Sequence, residues 1–151
     1  MAVQTDYNER HAPAFEGMLA NAEWLKNVIS REVANEDIGF GKVAVQAAGE
    51  DTITFPDDAI TADPGGFVGI TVRDQSTAPE GPNVYQEGAT AGVLTKGVLW
   101  VTAGAAVDQG DAVYFTPAGV LTNAASGNTL IVGATWDSSA GSGDLARLRL
   151  G

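Results

Sequence analysis

An all-β fold, a small β-sandwich or β-barrel domain preceded by an N-terminal arm, follows from three features of the 151-residue sequence. After residue 35, short apolar runs alternate with clusters of Gly, Pro and Asp, which is how strands and tight turns are written. Glycine, at 19 residues, is about twice as frequent as the ordinary ~7%. Charged residues make up 18% of the chain, below the usual ~25%. A chain of this length builds one domain with its own core and needs no staples.

Residues 1–35 are the arm. Phe15, Met18, Leu19, Ala22, Leu25, Ile29 and Val33 fall near helical spacing, whereas Pro13, Gly17 and Asn21 oppose a helix and Val28–Val33 also reads as a strand. The arm is therefore partly extended, with a short helix as the alternative. Residues 1–13 carry almost no hydrophobic pattern, which reads as disorder or as an arm that orders only on a partner. The domain spans 36–151. Its expected strands are Ile38–Gln46, Thr52–Phe55, Phe67–Arg73, Asn83–Gln86, Gly92–Leu94, Gly97–Thr102, Ala112–Thr116, Val120–Thr122, Leu130–Trp136 and Leu145–Leu150. Asp63–Gly66 and Val107–Asp111 supply turns, and Gln75–Gly81 a polar loop. AGVLT occurs at both 91–95 and 118–122, which reads either as coincidence or as a pseudo-symmetric pair of hairpins.

Side-chain parity divides the final strand. Ala146, Leu148 and Leu150 share one face, and Arg147 and Arg149 share the other. Trp100 and Trp136 each sit in a strong apolar strand, as core or as subunit interface. Tyr114 and Phe115 are neighbours, so one faces in and the other out. Trp100, Tyr114, Trp136, Arg147 and Arg149 are the candidates for a subunit interface. Tyr7, Phe15, Met18, Leu19 and Trp24 are the candidates for docking by the arm, whose apolar residues would be exposed on an isolated subunit.

The chain carries little chemistry. It has no cysteine, so disulfides, thiol catalysis and Cys-zinc sites are excluded. Its single histidine, His11, lies in the arm, a poor place for an imidazole that must be rigidly oriented. Gly39-Phe40-Gly41-Lys42 lacks the spacing of a phosphate loop, and Val43 replaces the hydroxyl that would hold magnesium. The pairs Glu36-Asp37, Glu50-Asp51 and Asp57-Asp58 fit no calcium loop. No catalytic, cofactor or metal residue is assigned. No apolar run approaches the ~18 residues of a membrane span, and the first residues lack the basic and apolar regions of a signal peptide.

With 19 acidic and 8 basic residues, the net charge is −11. Such a surface repels nucleic acid backbones and anionic lipid. Residues 1–60 hold eleven of the acidic and four of the basic residues, or −7, which leaves −4 for the remainder.

Phe15-Glu16-Gly17-Met18-Leu19-Ala20, Ile38-Gly39-Phe40-Gly41, Phe67-Val68-Gly69-Ile70 and Val93–Val101 follow one another in a distinctive order. Ala106–Phe115, with its Gly110-Asp111 turn into an apolar strand, Val132-Gly133-Ala134 and the last strand complete it. This series resembles the structural cement, or head decoration, proteins of tailed bacteriophages. The resemblance implies a homotrimer on the outer surface of an icosahedral head, in contact with the major capsid protein and with neighbouring cement trimers. It implies residence in the virion after assembly in the bacterial cytoplasm, no enzymatic activity and no cofactor. The other reading is a carbohydrate- or receptor-binding β-module of a head fibre or tail.

Overall fold

The computed structural model describes residues 14–21, 26–56, 66–74 and 84–151. Tyr7, His11, Trp24, Asp57, Asp58 and most of the Asp63–Gly66 turn and the 75–81 loop lie outside them. No helix occurs among the described residues. The strands are β1 (Asn27–Val33), β2 (Ile38–Gly39), β3 (Val43–Gln46), β4 (Thr52–Thr54), β5 (Phe67–Thr71), β6 (Val84–Tyr85), β7 (Thr90–Thr102), β8 (Ala112–Phe115), β9 (Leu121–Thr122), β10 (Thr129–Trp136) and β11 (Leu145–Leu150).

Nine of these form one sheet in the order β1-β4-β3-β5-β7-β11-β10-β8-β9, and β2 pairs with β6 apart from it. A further pairing of β1 with β7 closes β1-β4-β3-β5-β7 into a barrel ring. The rest of the sheet extends from the second half of β7 as a wing, and its far end curls back. There the Gly104 N–H donates to the Leu121 carbonyl at 2.7 Å. Ring and wing share β7, whose 13 residues replace the two short strands expected at 92–94 and 97–102. The polar Thr95-Lys96 and Gly97 suggest a break, but pairing passes through it. Asn27 and Val28 of β1 oppose Lys96 and Leu94 across a bulge, and Gly97 pairs with Leu150. Gly97 takes φ 131, where a Cβ would lie 3.2 Å from the Lys26 Cβ.

Several expectations need correction. Ile38–Gln46 is two strands, because Phe40 and Gly41 turn, with Gly41 at φ 68. The Thr71 hydroxyl fastens this turn, donating to the Gly39 carbonyl at 2.6 Å and accepting from the Lys42 N–H at 3.0 Å. Residues 27–33, placed with the arm on the sequence, are a strand of the ring. The helical spacing of the segment is not used: its described part is extended. The AGVLT echo also has no structural counterpart. Ala91–Thr95 lies inside β7, and Ala118–Thr122 is a turn running into β9.

Parity sorts the core into two clusters. Val43, Val45, Ile70 and Leu94 meet Leu99, Val101, Trp136, Leu148 and Leu150 between ring and wing. Ala44, Val93, Val33 and Ile53 point to the opposite side of the ring strands and join Ile38, Phe40 and Tyr85. Tyr85 closes this second cluster by donating its hydroxyl to the Val72 carbonyl at 2.6 Å. Burial pushes its phenol pKa up.

Candidate assembly interface

The outer face of the wing gathers most of the residues singled out as interface candidates. β11 is antiparallel to β7, with Arg147 opposite Trp100 and Arg149 opposite Val98. β10 sets Thr135 beside Arg149, and β8 sets Tyr114 beside Leu130. Inward residues of these strands are buried and outward ones are not: β11 alternates through all six positions, with Ala146, Leu148 and Leu150 inside. Trp100, Tyr114, Arg147 and Arg149 thus lie on one face although 49 positions of sequence separate the first from the last.

Residues 17–20 extend that face. Leu19 bridges antiparallel to Leu99. The Trp100 N–H donates to the Met18 carbonyl at 2.8 Å, and the Ala20 N–H to the Val98 carbonyl at 2.9 Å. Backbone groups of alternate residues point to opposite edges of a strand, so this segment lies on the edge of β7 away from β11. Leu19 turns toward the core with Leu99, which leaves Met18 beside Trp100 on the outside. Met18, Trp100 and Arg147 then form a row across three chain segments.

Asp137 organises the basic end of the face. Its carboxylate lies 3.5 Å from Arg147 Nε and 3.5 Å from Arg149 Nη2. The Arg147 guanidinium lies 5.9 Å from the centre of the Trp100 ring. These groups are partly exposed, so each ion pair is worth at most about 1 kcal/mol. The arrangement holds two guanidinium groups and an indole outward, the residue types that dominate binding at interfaces.

Trp136 is different. It is 1% exposed and packs in the main core. Of the two roles open to it on the sequence it takes the core one, and its ring is not part of the surface. Two residues were missed: Leu130 and Val132 are 46% and 87% exposed, beside Tyr114. Leu130-Ile131-Val132 reads as a fully buried run. The pairing of β10 with β8 breaks between Leu130 and Thr135, and Gly133 takes φ 79. The extra residue leaves Ile131 and Ala134 inward and Val132 outward.

The described arm residues are not all free apolar surface. Ala14 is buried, and Met18 and Leu19 are half-buried against their own domain. Phe15 alone of the arm candidates described is well exposed, at 57%. Its ring lies 5.0 Å from the Arg73 guanidinium, which lies 5.4 Å from the Phe40 ring. The adjacent Glu16 pairs with Lys42 at 2.7 Å. Phe15, Phe40, Lys42 and Arg73 line a depression of about 360 Å3.

Among the described residues, no three His, Asp or Glu side chains come together as a metal site. Asp111 has a structural task. Its Oδ2 accepts from Asn123 Nδ2 at 2.7 Å and from the Asp108 N–H at 3.0 Å, and these bonds lower its carboxyl pKa.

The sequence matches the family model described as "Structural cement protein (E217 gp24/Pam3 gp6)" over residues 3–151. No curated protein matches the chain. Among solved structures it is similar to a chain from the capsid of Myoviridae Phage XM1. The TM-score is 0.77 at 21% identity, covering 99% of this chain and 97% of that one, which is a likeness of fold. It is less similar to the head fiber gp8.5 N base of bacteriophage phi29, with a TM-score of 0.48, 14% identity, and coverage of 84% and 95%, too loose to argue from.

Proposed function

The chain belongs to the phage structural cement protein family and is a capsid cement protein of the virion, and on that premise we propose that it works on the outer surface of the icosahedral head as a homotrimer. There it bridges major capsid protein subunits and neighbouring cement trimers, without catalysis, and holds the shell against the pressure of packaged DNA. The observation that carries this reading is the family match over residues 3–151. The N-terminal segment faces the capsid, with Phe15, exposed and stacked on Arg73, as its described anchor. Tyr7 and Trp24 join it on sequence grounds. The outer face of the wing, with Trp100, Tyr114, Arg147 and Arg149, serves contacts between subunits. Many modest contacts repeated over a lattice add up to firm attachment through avidity.

Co-sedimentation with expanded shells of the parent phage tests this. Truncation should stop at residue 13, because Leu19 and β1 belong to the fold. The full chain should pellet with shells, and the chain lacking residues 1–13 and the Phe15→Ala variant should pellet less. The −7 of residues 1–60 also predicts binding that weakens as salt rises, since exposed charges are screened beyond about 10 Å at 0.1 M. A full chain that stays in the supernatant beside intact expanded shells overturns the reading.

A further inference from the structure

The exposed face of the wing is basic where it meets the ring. Four of the seven described Lys and Arg residues gather there. Lys26 and Lys96 are exposed on either side of the Gly97 position, with Lys26 against Gly97 and Lys96 against Gly151. Gly97 pairs with Leu150, so Arg149 and Arg147 follow at once along β11, opposite Val98 and Trp100. The carboxylate set against this group is Asp137, which pairs with both arginines. Four cations and one carboxylate leave +3.

The other end of β1 and β7 is the reverse. Glu32, Glu36, Asp37, Glu50, Asp51 and Glu87 are all exposed. Backbone bonds draw them together: the Glu32 N–H donates to the Asp51 carbonyl, the Val33 N–H to the Ala89 carbonyl, and the Glu87 N–H to Asp37 Oδ1. Arg31, 3.6 Å from Asp51, is the cation among them. Six carboxylates and one cation leave −5. Glu32 opposes Thr90 and Asn27 opposes Lys96, so the two strands carry one end to the other. Six residues at about 3.3 Å each set the ends about 20 Å apart. That is twice the roughly 10 Å over which exposed charges act at 0.1 M salt. The two ends do not neutralise each other within one chain.

We propose that the basic end, on the wing face, docks on the acidic ring end of a second copy of the chain. Like ends brought together would set like charges together, in a chain whose net charge is −11. Opposite ends match, and complementary charge selects the partner and its orientation. Trp100, with the Arg147 guanidinium 5.9 Å from its ring centre, gives this contact the residue types that carry binding energy. The contact is heterologous, one surface against a different one, so it repeats from copy to copy until it closes. It closes at three copies, a step that rests on the homotrimer reading above.

The absence of cysteine lets single cysteines report the contact in the full chain without shells, which keeps the result separate from shell binding. Glu87→Cys marks the acidic end. Thr135→Cys, exposed beside Arg149, marks the basic one. The two proteins are co-expressed, one of them tagged, and treated with a short bismaleimide. A heterologous contact should give roughly fivefold more 87–135 product than either 87–87 or 135–135 product. Equal yields, an excess of like pairs or no 87–135 product overturns the proposal. Charge is read by sedimentation velocity at low salt. Glu36→Lys with Glu87→Lys, and Lys26→Glu with Lys96→Glu, should each weaken self-association roughly tenfold, and the chain carrying all four should restore it. Circular dichroism checks that each variant is folded. A fourfold variant that is folded but as weak as the two doubles overturns the proposal, as does an unaltered chain that sediments as a monomer, or doubles that change shell binding and leave self-association untouched. An 87–135 product from a chain that fails to bind shells supports this contact and tells against the cement reading.

Discussion

The ring and the wing solve the burial problem in opposite ways. In the ring, β3 and β5 are covered on both faces: Val43, Val45 and Ile70 pack toward the wing, and Ala44 packs into the second cluster. In the wing, β8 and β11 are covered on one face only, and burial alternates along them. β3 and β5 of the ring use both faces for the protein's own core, and the wing strands leave one face exposed. Strands sandwiched on both sides read as continuous apolar runs, and half-covered strands read as alternation.

If this contrast is right, the two tryptophans nearest the boundary should behave as opposites, and this is the largest effect expected. Trp136→Ala should cost about 3–5 kcal/mol of stability, as removal of a core aromatic does. Trp100→Ala should cost far less while weakening self-association. Urea unfolding beside sedimentation velocity separates the two, and equal losses of stability would erase the distinction.

Gly69 gives the next largest effect, inside the ring. A Cβ there would lie 2.3 Å from the Leu94 carbonyl oxygen and 2.6 Å from Val93 Cγ1. Gly69→Ala should therefore cost about 1–3 kcal/mol through overpacking. The loss appears as a lower midpoint in the same urea experiment. The matching change on the wing, Val132→Asp at an 87% exposed position, should move stability by no more than about 0.5 kcal/mol. Its consequence should be seen in subunit association, by light scattering.

The smallest effect concerns pH. The hydrogen bonds from Asn123 and from the Asp108 N–H hold the Asp111 carboxyl below its ordinary range. A group whose pKa is depressed by folding contributes stability above its unfolded pKa and loses it as the pH falls through the folded value. Asn123→Ala should move the Asp111 titration upward, toward that of a free carboxyl, as followed by NMR of the side-chain carbon. An unmoved titration would deny the hydrogen bond its part.

The N-terminal segment shows where reading from sequence stopped short. Phe15, Met18 and Leu19 look alike on a sequence without a repeating pattern, and all three suggest a sticky arm. In the folded chain Leu19 opposes Leu99, Met18 sits beside Trp100, and only Phe15 projects. Gly17 makes this possible, with φ +79 and so little room that a Cβ would sit 2.8 Å from the Gly41 N and 2.9 Å from the Arg73 N. Nothing within residues 14–20 announces that its partners are at 41, 73 and 98–100.

From local pattern alone came the all-β class, the last strand with Arg147 and Arg149 turned away from the core, and the inward and outward split of Tyr114 and Phe115. Each depends on neighbours in the chain, because a strand's side-chain period of two is a property of its own backbone. The closure of the ring by β1, the passage of β7 through Gly97, the burial of Trp136 and the exposure of Val132 were decided in three dimensions. They depend on which distant strand lies alongside and where a bulge shifts the parity by one residue. A one-residue shift exchanges core for surface, and no stretch of sequence contains the partner that sets it.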